Sequence, residues 1–160
     1  MSDALRTEII DSPVGVLTIR SDADGCLHQL IWERPEERAT ANAPDQKASL
    51  PLQALEAYFG GDLEAIDAIA VARPGTPFQQ KVWAELRRIP CSRTISYGEL
   101  AERIGQPTAV RAVGTANGAN PISIFVPCHR VIGANGTLTG YGGGLENKRW
   151  LLVHEGAWLI

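Results

Sequence analysis

Three short apolar runs open the chain, with hydrophobic and polar positions partly alternating: Glu8-Ile9-Ile10, Gly15-Val16-Leu17-Thr18-Ile19-Arg20 and Leu27-His28-Gln29-Leu30-Ile31-Trp32. Period-two alternation gives a strand one face for a core and one for water. Asp-Ser-Pro and Asp-Ala-Asp-Gly turns separate the runs, so the pattern predicts an antiparallel meander. Pro35 to Pro51 is polar and rich in Ala and Asn, a predicted loop. From Leu52 to Phe59 the apolar residues recur at helical spacing, and Gly60-Gly61 ends that helix.

The helical period dominates after Thr76. Thr76-Pro77-Phe78-Gln79 has the N-cap, the first-turn proline and the reciprocal Gln of a capping box. Phe78, Val82, Trp83, Leu86 and Ile89 fall on one face of the helix it starts, with Lys81, Glu85 and Arg88 on the solvated side. Ser96-Tyr97-Gly98-Glu99 repeats the capping pattern and opens a short helix through Ile104, which Gly105-Gln106-Pro107 ends. A further helix is predicted over Thr108 to Asn117. Two helices across a short turn have helix-turn-helix spacing, and Ala109, Ala112, Gly114, Ala116 and Gly118 keep the second one slim enough to enter a groove. Asn120-Pro121 then leads into an apolar run that reads as a buried strand ending at Cys128. Gly133-Ala134-Asn135-Gly136 reads as a turn, and a last helix is predicted from Leu145 to about Glu155, with Trp150, Leu151, Leu152 and Trp158 in the core.

At 160 residues the chain can hold one substantial core or two small subdomains. Charge favours the second. The net charge of −3 divides unevenly about Thr76: residues 1–76 carry 6 Lys or Arg against 13 Asp or Glu, or −7, and residues 77–160 carry 9 against 5, or +4. Local positive charge is what attracts a phosphate backbone, so residues 77–160 are the candidate nucleic-acid-binding subdomain and residues 1–76 a strand-rich structural one. The three cysteines, Cys26, Cys91 and Cys128, form neither an even disulfide set nor a Cys-x-x-Cys pair. Cys26 beside His28 is too sparse for a metal site, and no metal is expected. A charged start followed by an apolar run is lacking, as is any stretch of 18 apolar residues, so the expectation is a cytoplasmic protein with no membrane association.

The chemistry concentrates in Pro127-Cys128-His129-Arg130-Val131. A thiolate is the attacking form of cysteine, and an adjacent His can raise its fraction as base or as positive partner. Ser96-Tyr97-Gly98-Glu99-Leu100, Arg111-Ala112-Val113-Gly114, Asn120-Pro121, the Cys128 pentapeptide, Thr139-Gly140-Tyr141 and His154-Glu155-Gly156 follow one another in an order and at separations that resemble the O6-alkylguanine-DNA alkyltransferases. The resemblance runs from about Thr76 to the C-terminus. In the first half it rests on Asp11-Ser12-Pro13-Val14-Gly15, Leu17-Thr18 and Tyr58-Phe59-Gly60-Gly61.

The resemblance implies an α/β protein of the α+β kind. Its N-terminal subdomain would be an antiparallel sheet with a helix, ribonuclease H-like, and its C-terminal subdomain mainly helical with a winged-helix-like helix-turn-helix. It also implies repair by direct reversal, in which Cys128 takes the alkyl group from O6-alkylguanine, or O4-alkylthymine, once and irreversibly. The base must first be flipped out of the duplex, since a stacked base cannot reach a buried thiol. Glu155 would polarise His129, which takes the Cys128 proton through a bridging water. Arg111 would fill the space left by the base, with Thr108 and Ala112 on the same DNA-facing helix, and Tyr97 would assist extrusion. Tyr141, the Val131 carbonyl and the Gly142 amide would line the pocket, with Asn120 as hinge. Gly142 stands where some relatives have Ser. No cofactor is implied, because damaged double-stranded DNA is itself the donor, and the expected state is a monomer with no obligate protein partner. Three other readings remain at this stage: a non-catalytic lesion binder, a Cys-His hydrolase and a helix-turn-helix regulator.

Overall fold

The computed structural model describes residues 5–33 and 47–158. The chain divides into two compact units between Ala72 and Arg73.

In the first unit, β1 (Arg6–Ser12), β2 (Gly15–Ser21) and β3 (Leu27–Trp32) form an antiparallel sheet in the order β1-β2-β3. The register runs from Arg6↔Ser21 to Ser12↔Gly15 between β1 and β2, and slips between Arg20 and Ser21 where β2 meets β3. Leu17 and Ile19 of β2 are buried, as is Thr18 between them, and so are Leu27 and Leu30 of β3. Helix α1 (Leu50–Phe59) covers the sheet with Ala54, Leu55 and Tyr58. It begins two residues before the predicted Leu52. Ser49 caps it by accepting the Leu52 N–H at 3.2 Å, and Pro51 sits in the first turn, where its missing N–H costs nothing. Pro51 therefore belongs to the helix rather than to the predicted loop; residues 35–46 of that loop lie outside the described residues.

In the second unit, α2 (Pro77–Leu86) starts with both halves of the predicted capping box, Gln79 N–H to Thr76 Oγ1 at 3.1 Å and Thr76 N–H to Gln79 Oε1 at 3.0 Å. Val82, Trp83 and Leu86 are buried, and the Trp83 indole donates to the Ala116 carbonyl at 2.8 Å. Ser96 caps α3 (Tyr97–Arg103) by accepting the Glu99 N–H, but the reciprocal bond is not made. The Glu99 carboxylate pairs with Arg103 at 2.6 Å one turn on, an interaction that competes for the same oxygens. Gly105, at φ +78°, ends α3, and α4 (Val110–Gly118) starts after Ala109, so Thr108 lies in the preceding turn. Helix α5 (Leu145–His154) closes the unit with Leu151 and Leu152 buried; Trp150 is half-buried and stacks on His154, and Trp158 is half-buried.

The predicted strand before Cys128 is not a strand. Residues 122–126 form a tight buried loop whose local bonds include Val126 N–H to the Ile122 carbonyl at 2.9 Å and Cys128 N–H to the Val126 carbonyl at 2.8 Å. Ile124 turns the chain at φ +74°, a conformation costly for a β-branched residue. Cys128–Arg130 is a single 3-10 turn. It runs into β5 (Val131–Ile132), which pairs in parallel with β4 (Ile95–Ser96) and so brings the thiol turn beside the start of α3.

Candidate active site

The 3-10 turn carries Cys128, His129 and Arg130, all buried, and the C-terminal end of α5 supplies the group that meets them, Glu155. His129 Nε2 stands 2.8 Å from Glu155 Oε2. Arg130 grips the same carboxylate through Nε to Oε1 at 2.8 Å and a terminal nitrogen to Oε2 at 3.0 Å, and donates its other terminal nitrogen to the Ile89 carbonyl at 2.7 Å. Burial alone pushes the Glu155 carboxyl up, but His129 and Arg130 more than offset it and hold the acid well below the usual carboxylate range. Burial also lowers the His129 pKa, against the pull of Glu155. With its pKa lowered the ring is neutral at pH 7, so there His129 supports the Glu155 carboxylate through its hydrogen bond and the Arg130 guanidinium supplies the full positive charge beside it. A carboxylate at Nε2 fixes the proton there and leaves Nδ1 as the basic nitrogen. Among the described residues nothing hydrogen-bonds to His129 Nδ1, which is buried.

Cys128 is 5 % exposed, and burial pushes its thiol pKa up; Asn120, Ser123 and Lys148 pull it down. Its Sγ lies 4.0 Å from Ser123 Oγ. Lys148 of α5 is fully buried, with its ammonium bonded to the Val131 carbonyl at 2.7 Å and the Thr139 carbonyl at 2.8 Å. Burial lowers its pKa to about 8. Tyr141 is half-buried with its hydroxyl oxygen out of solvent; its ring lies edge-on to His129 at 6.4 Å, and burial, then the neighbouring Cys128, pushes the phenol pKa well up.

Asn120 uses both ends of its amide: Nδ2 donates to the Val126 carbonyl at 2.7 Å and Oδ1 accepts the Ile122 N–H at 3.0 Å, bracing the thiol loop against the end of α4. Asn117 donates to the Cys128 carbonyl at 3.4 Å. Cys128, His129, Glu155, Tyr141, Val131 and Asn120 thus share one connected site. Arg111, Thr108 and Ala112 lie on the exposed surface of the helix-turn-helix, and Gly142 on an exposed turn. Arg130, Lys148, Ser123 and Asn117 were not singled out from sequence. Arg130 alone carried a signal, its place next to the Cys-His pair.

Elsewhere, among the described residues, Asp22, Cys26 and His28 of the β2–β3 turn bring potential ligand atoms within 4.8 Å of one another. The turn itself uses the carboxylate: Asp22 Oδ2 bonds His28 Nε2 at 2.9 Å, and Oδ1 accepts the Asp24 and Cys26 N–H groups at 2.9 and 3.0 Å. Among the described residues no helix is long and apolar enough to cross a membrane.

Residues 77–157 match the family described as "6-O-methylguanine DNA methyltransferase, DNA binding domain". A Shigella flexneri methylated-DNA--protein-cysteine methyltransferase is 46% identical over 172 residues, covering 98% of each chain. A namesake from Mycobacterium tuberculosis is 50% identical over 148 residues, covering 91% of this chain and 89% of that one. Among solved structures, Mycobacterium tuberculosis OGT in complex with DNA superposes with a TM-score of 0.81 at 45% identity, over 94% of this chain and 92% of that one. The fold, the matched span and these full-length likenesses together make this chain a member of the methylated-DNA--protein-cysteine methyltransferase family.

Proposed function

We propose that this protein repairs DNA by moving the alkyl group of O6-alkylguanine, and of O4-alkylthymine, onto Cys128, after the damaged base is flipped into the site. The observation that carries the reading is the buried chain Arg130–Glu155–His129, which ends in a basic Nδ1 on the residue after the thiol. Cys128 is protonated at rest because burial raises its pKa, so it needs a base. His129 Nδ1, acting through a water, takes the thiol proton; Glu155 holds the tautomer, and Arg130 keeps Glu155 charged. The thiolate attacks the alkyl carbon, an S–C bond forms, the C–O6 bond breaks, and the electron pair leaves with the guanine. That proton passes to the departing base, and the Tyr141 hydroxyl assists at its oxygen. A thioether is not readily reversed, so each molecule acts once and no cofactor takes part.

The DNA-facing parts fit the same reading. Helix α4 presents Arg111 and the small Ala112 to solvent, beyond the Thr108 turn, in a half of the chain with net positive charge. Arg111 enters the stack as the base leaves, and Tyr97 at the start of α3 steadies the extruded nucleotide. Asn120 ties that helix to the thiol loop, so that docking on DNA and presentation of Cys128 are one geometry. The Val131 carbonyl, fixed by Lys148, and the Gly142 amide face the guanine edge. In this reading the protein works as a cytoplasmic monomer on double-stranded DNA. The test is Cys128→Ser on an O6-methylguanine duplex: the variant binds the lesion as the parent does and leaves the methyl on the DNA. Methyl loss from the DNA with the serine variant would sink the proposal.

A further inference from the structure

We propose that Thr139 is a positioning residue for base capture, acting through Tyr97: its hydroxyl donates to the Tyr97 phenol oxygen and so leaves the phenol's own hydrogen for the extruded nucleotide. The inference rests on the alkyl-transfer reading above and names the residue that sets the polarity of its base-flipping tyrosine.

Three observations meet at this residue. Thr139 Oγ1 lies 3.0 Å from Tyr97 Oη, a bond spanning 42 positions of sequence. The carbonyl of the same Thr139 receives the buried Lys148 ammonium at 2.8 Å, and that ammonium also holds the Val131 carbonyl at 2.7 Å. The segment leading to Tyr141 is thus pinned at Thr139 from two sides, by α5 through the backbone and by α3 through the side chain. Third, the Tyr97 ring packs on α4: a Cβ built on Gly114 would stand 3.8 Å from Tyr97 Cδ1. The phenol is held between the DNA-facing helix and the Tyr141 segment, with its oxygen on the segment side.

Both hydroxyls carry one hydrogen, so the 3.0 Å contact admits either direction, and the donation is assigned to Thr139. A phenol has one hydrogen and two lone pairs. Once one lone pair accepts from Thr139, the hydrogen is available to an outside acceptor, and an oxygen that accepts becomes the better donor. The free ring nitrogens of O6-alkylguanine, N1, N3 and N7, are all acceptors, because alkylation at O6 removes the hydrogen from N1, and phosphate oxygens are acceptors too. A Tyr97 hydroxyl fixed as donor matches both. Without Thr139 the phenol rotates freely, and the base must order it at the moment of capture.

The experiment measures single-turnover methyl loss from an O6-methylguanine duplex at several excess protein concentrations, separating apparent duplex affinity from the rate at saturation. Thr139→Val keeps the shape and deletes the hydroxyl; Thr139→Ser restores it, and Thr139→Ala repeats the deletion with a smaller side chain in case valine packs poorly. The valine and alanine variants are expected to slow transfer at saturation by about 3- to 10-fold, the equivalent of one neutral hydrogen bond. Their affinity for undamaged duplex stays as in the parent, and the serine variant comes within about twofold of it. Thr139→Val combined with Tyr97→Phe should be no slower than Tyr97→Phe alone, since both remove the same bond. Parent-like rates for the valine and alanine variants, failure of serine to rescue, or losses that multiply in the double variant would each overturn the inference while leaving the transfer reading intact. Absence of methyl loss with the parent protein would instead overturn the transfer reading.

Discussion

Arg130→Met is the sharpest test of how the site is held together. The methionine keeps much of the stem volume but removes a guanidinium that is 3 % exposed and makes two bonds to Glu155, at 2.8 and 3.0 Å, and one to the Ile89 carbonyl at 2.7 Å. The Glu155 carboxylate, on a side chain 0 % exposed, would lose the guanidinium's charge while keeping the neutral imidazole N–H. Breaking one side of a buried ion pair costs about 3–5 kcal/mol, because the remaining charge stays desolvated. For a chain of this size that is a fall in Tm of roughly 6–20 °C. The assay is urea unfolding at pH 7, followed by circular dichroism, with the midpoint falling and the denaturant slope unchanged. Adding Glu155→Gln should recover part of the loss, since no unpaired charge then remains. A loss under about 1 kcal/mol, or no recovery in the double variant, would refute the claim that the guanidinium keeps Glu155 ionised in the core.

Three more outcomes follow from the same geometry. Burial holds the His129 pKa below its ordinary 6.5, so as pH falls through 6.5 the unfolded chain gains a proton that the folded one does not. Stability should therefore drop on acidification below about pH 6.5, by at most about 1.4 kcal/mol per unit for this one group, and His129→Gln should flatten that slope. Lys148→Met removes a positive charge that pulls the Cys128 pKa down, so the pH profile of methyl transfer should shift to higher pH; a profile superimposable on the parent's would exclude the lysine from thiolate stabilisation. Ile124→Gly relieves a left-handed φ worth about 1–2 kcal/mol but empties a fully buried side-chain site worth about 2–5 kcal/mol, so packing wins and the variant should unfold at lower urea.

The sheet and most helices were legible because their signals are local: alternation in β1 to β3, the Thr76 and Ser96 caps, and the glycines that end α1 and α3. The loop before Cys128 was not. A continuous apolar run reads the same whether it is a buried strand or a buried turn, and only the left-handed Ile124 and its short-range bonds distinguish the two. Cys128, His129 and Glu155 were named from motif order, but the groups that make their charges work were hidden. Lys148 looks like one more solvated cation in Glu146-Asn147-Lys148-Arg149, and its burial depends on carbonyls 9 and 17 positions away. Arg130 has its place beside the Cys-His pair as a signal, but its partner is set only when the fold brings Glu155 over it. The one-sided capping at Ser96 has the same origin, since the sequence offers Glu99 two partners and does not rank them.

The most direct test of the account is to incubate the protein with excess O6-methylguanine duplex, map the added mass by peptide mass spectrometry and count methyl groups per molecule. The account predicts a single methyl on the peptide carrying Cys128 and no further activity afterwards. Repeated turnover, a methyl on Cys26 or Cys91, or tight lesion binding with no methylated peptide would contradict it.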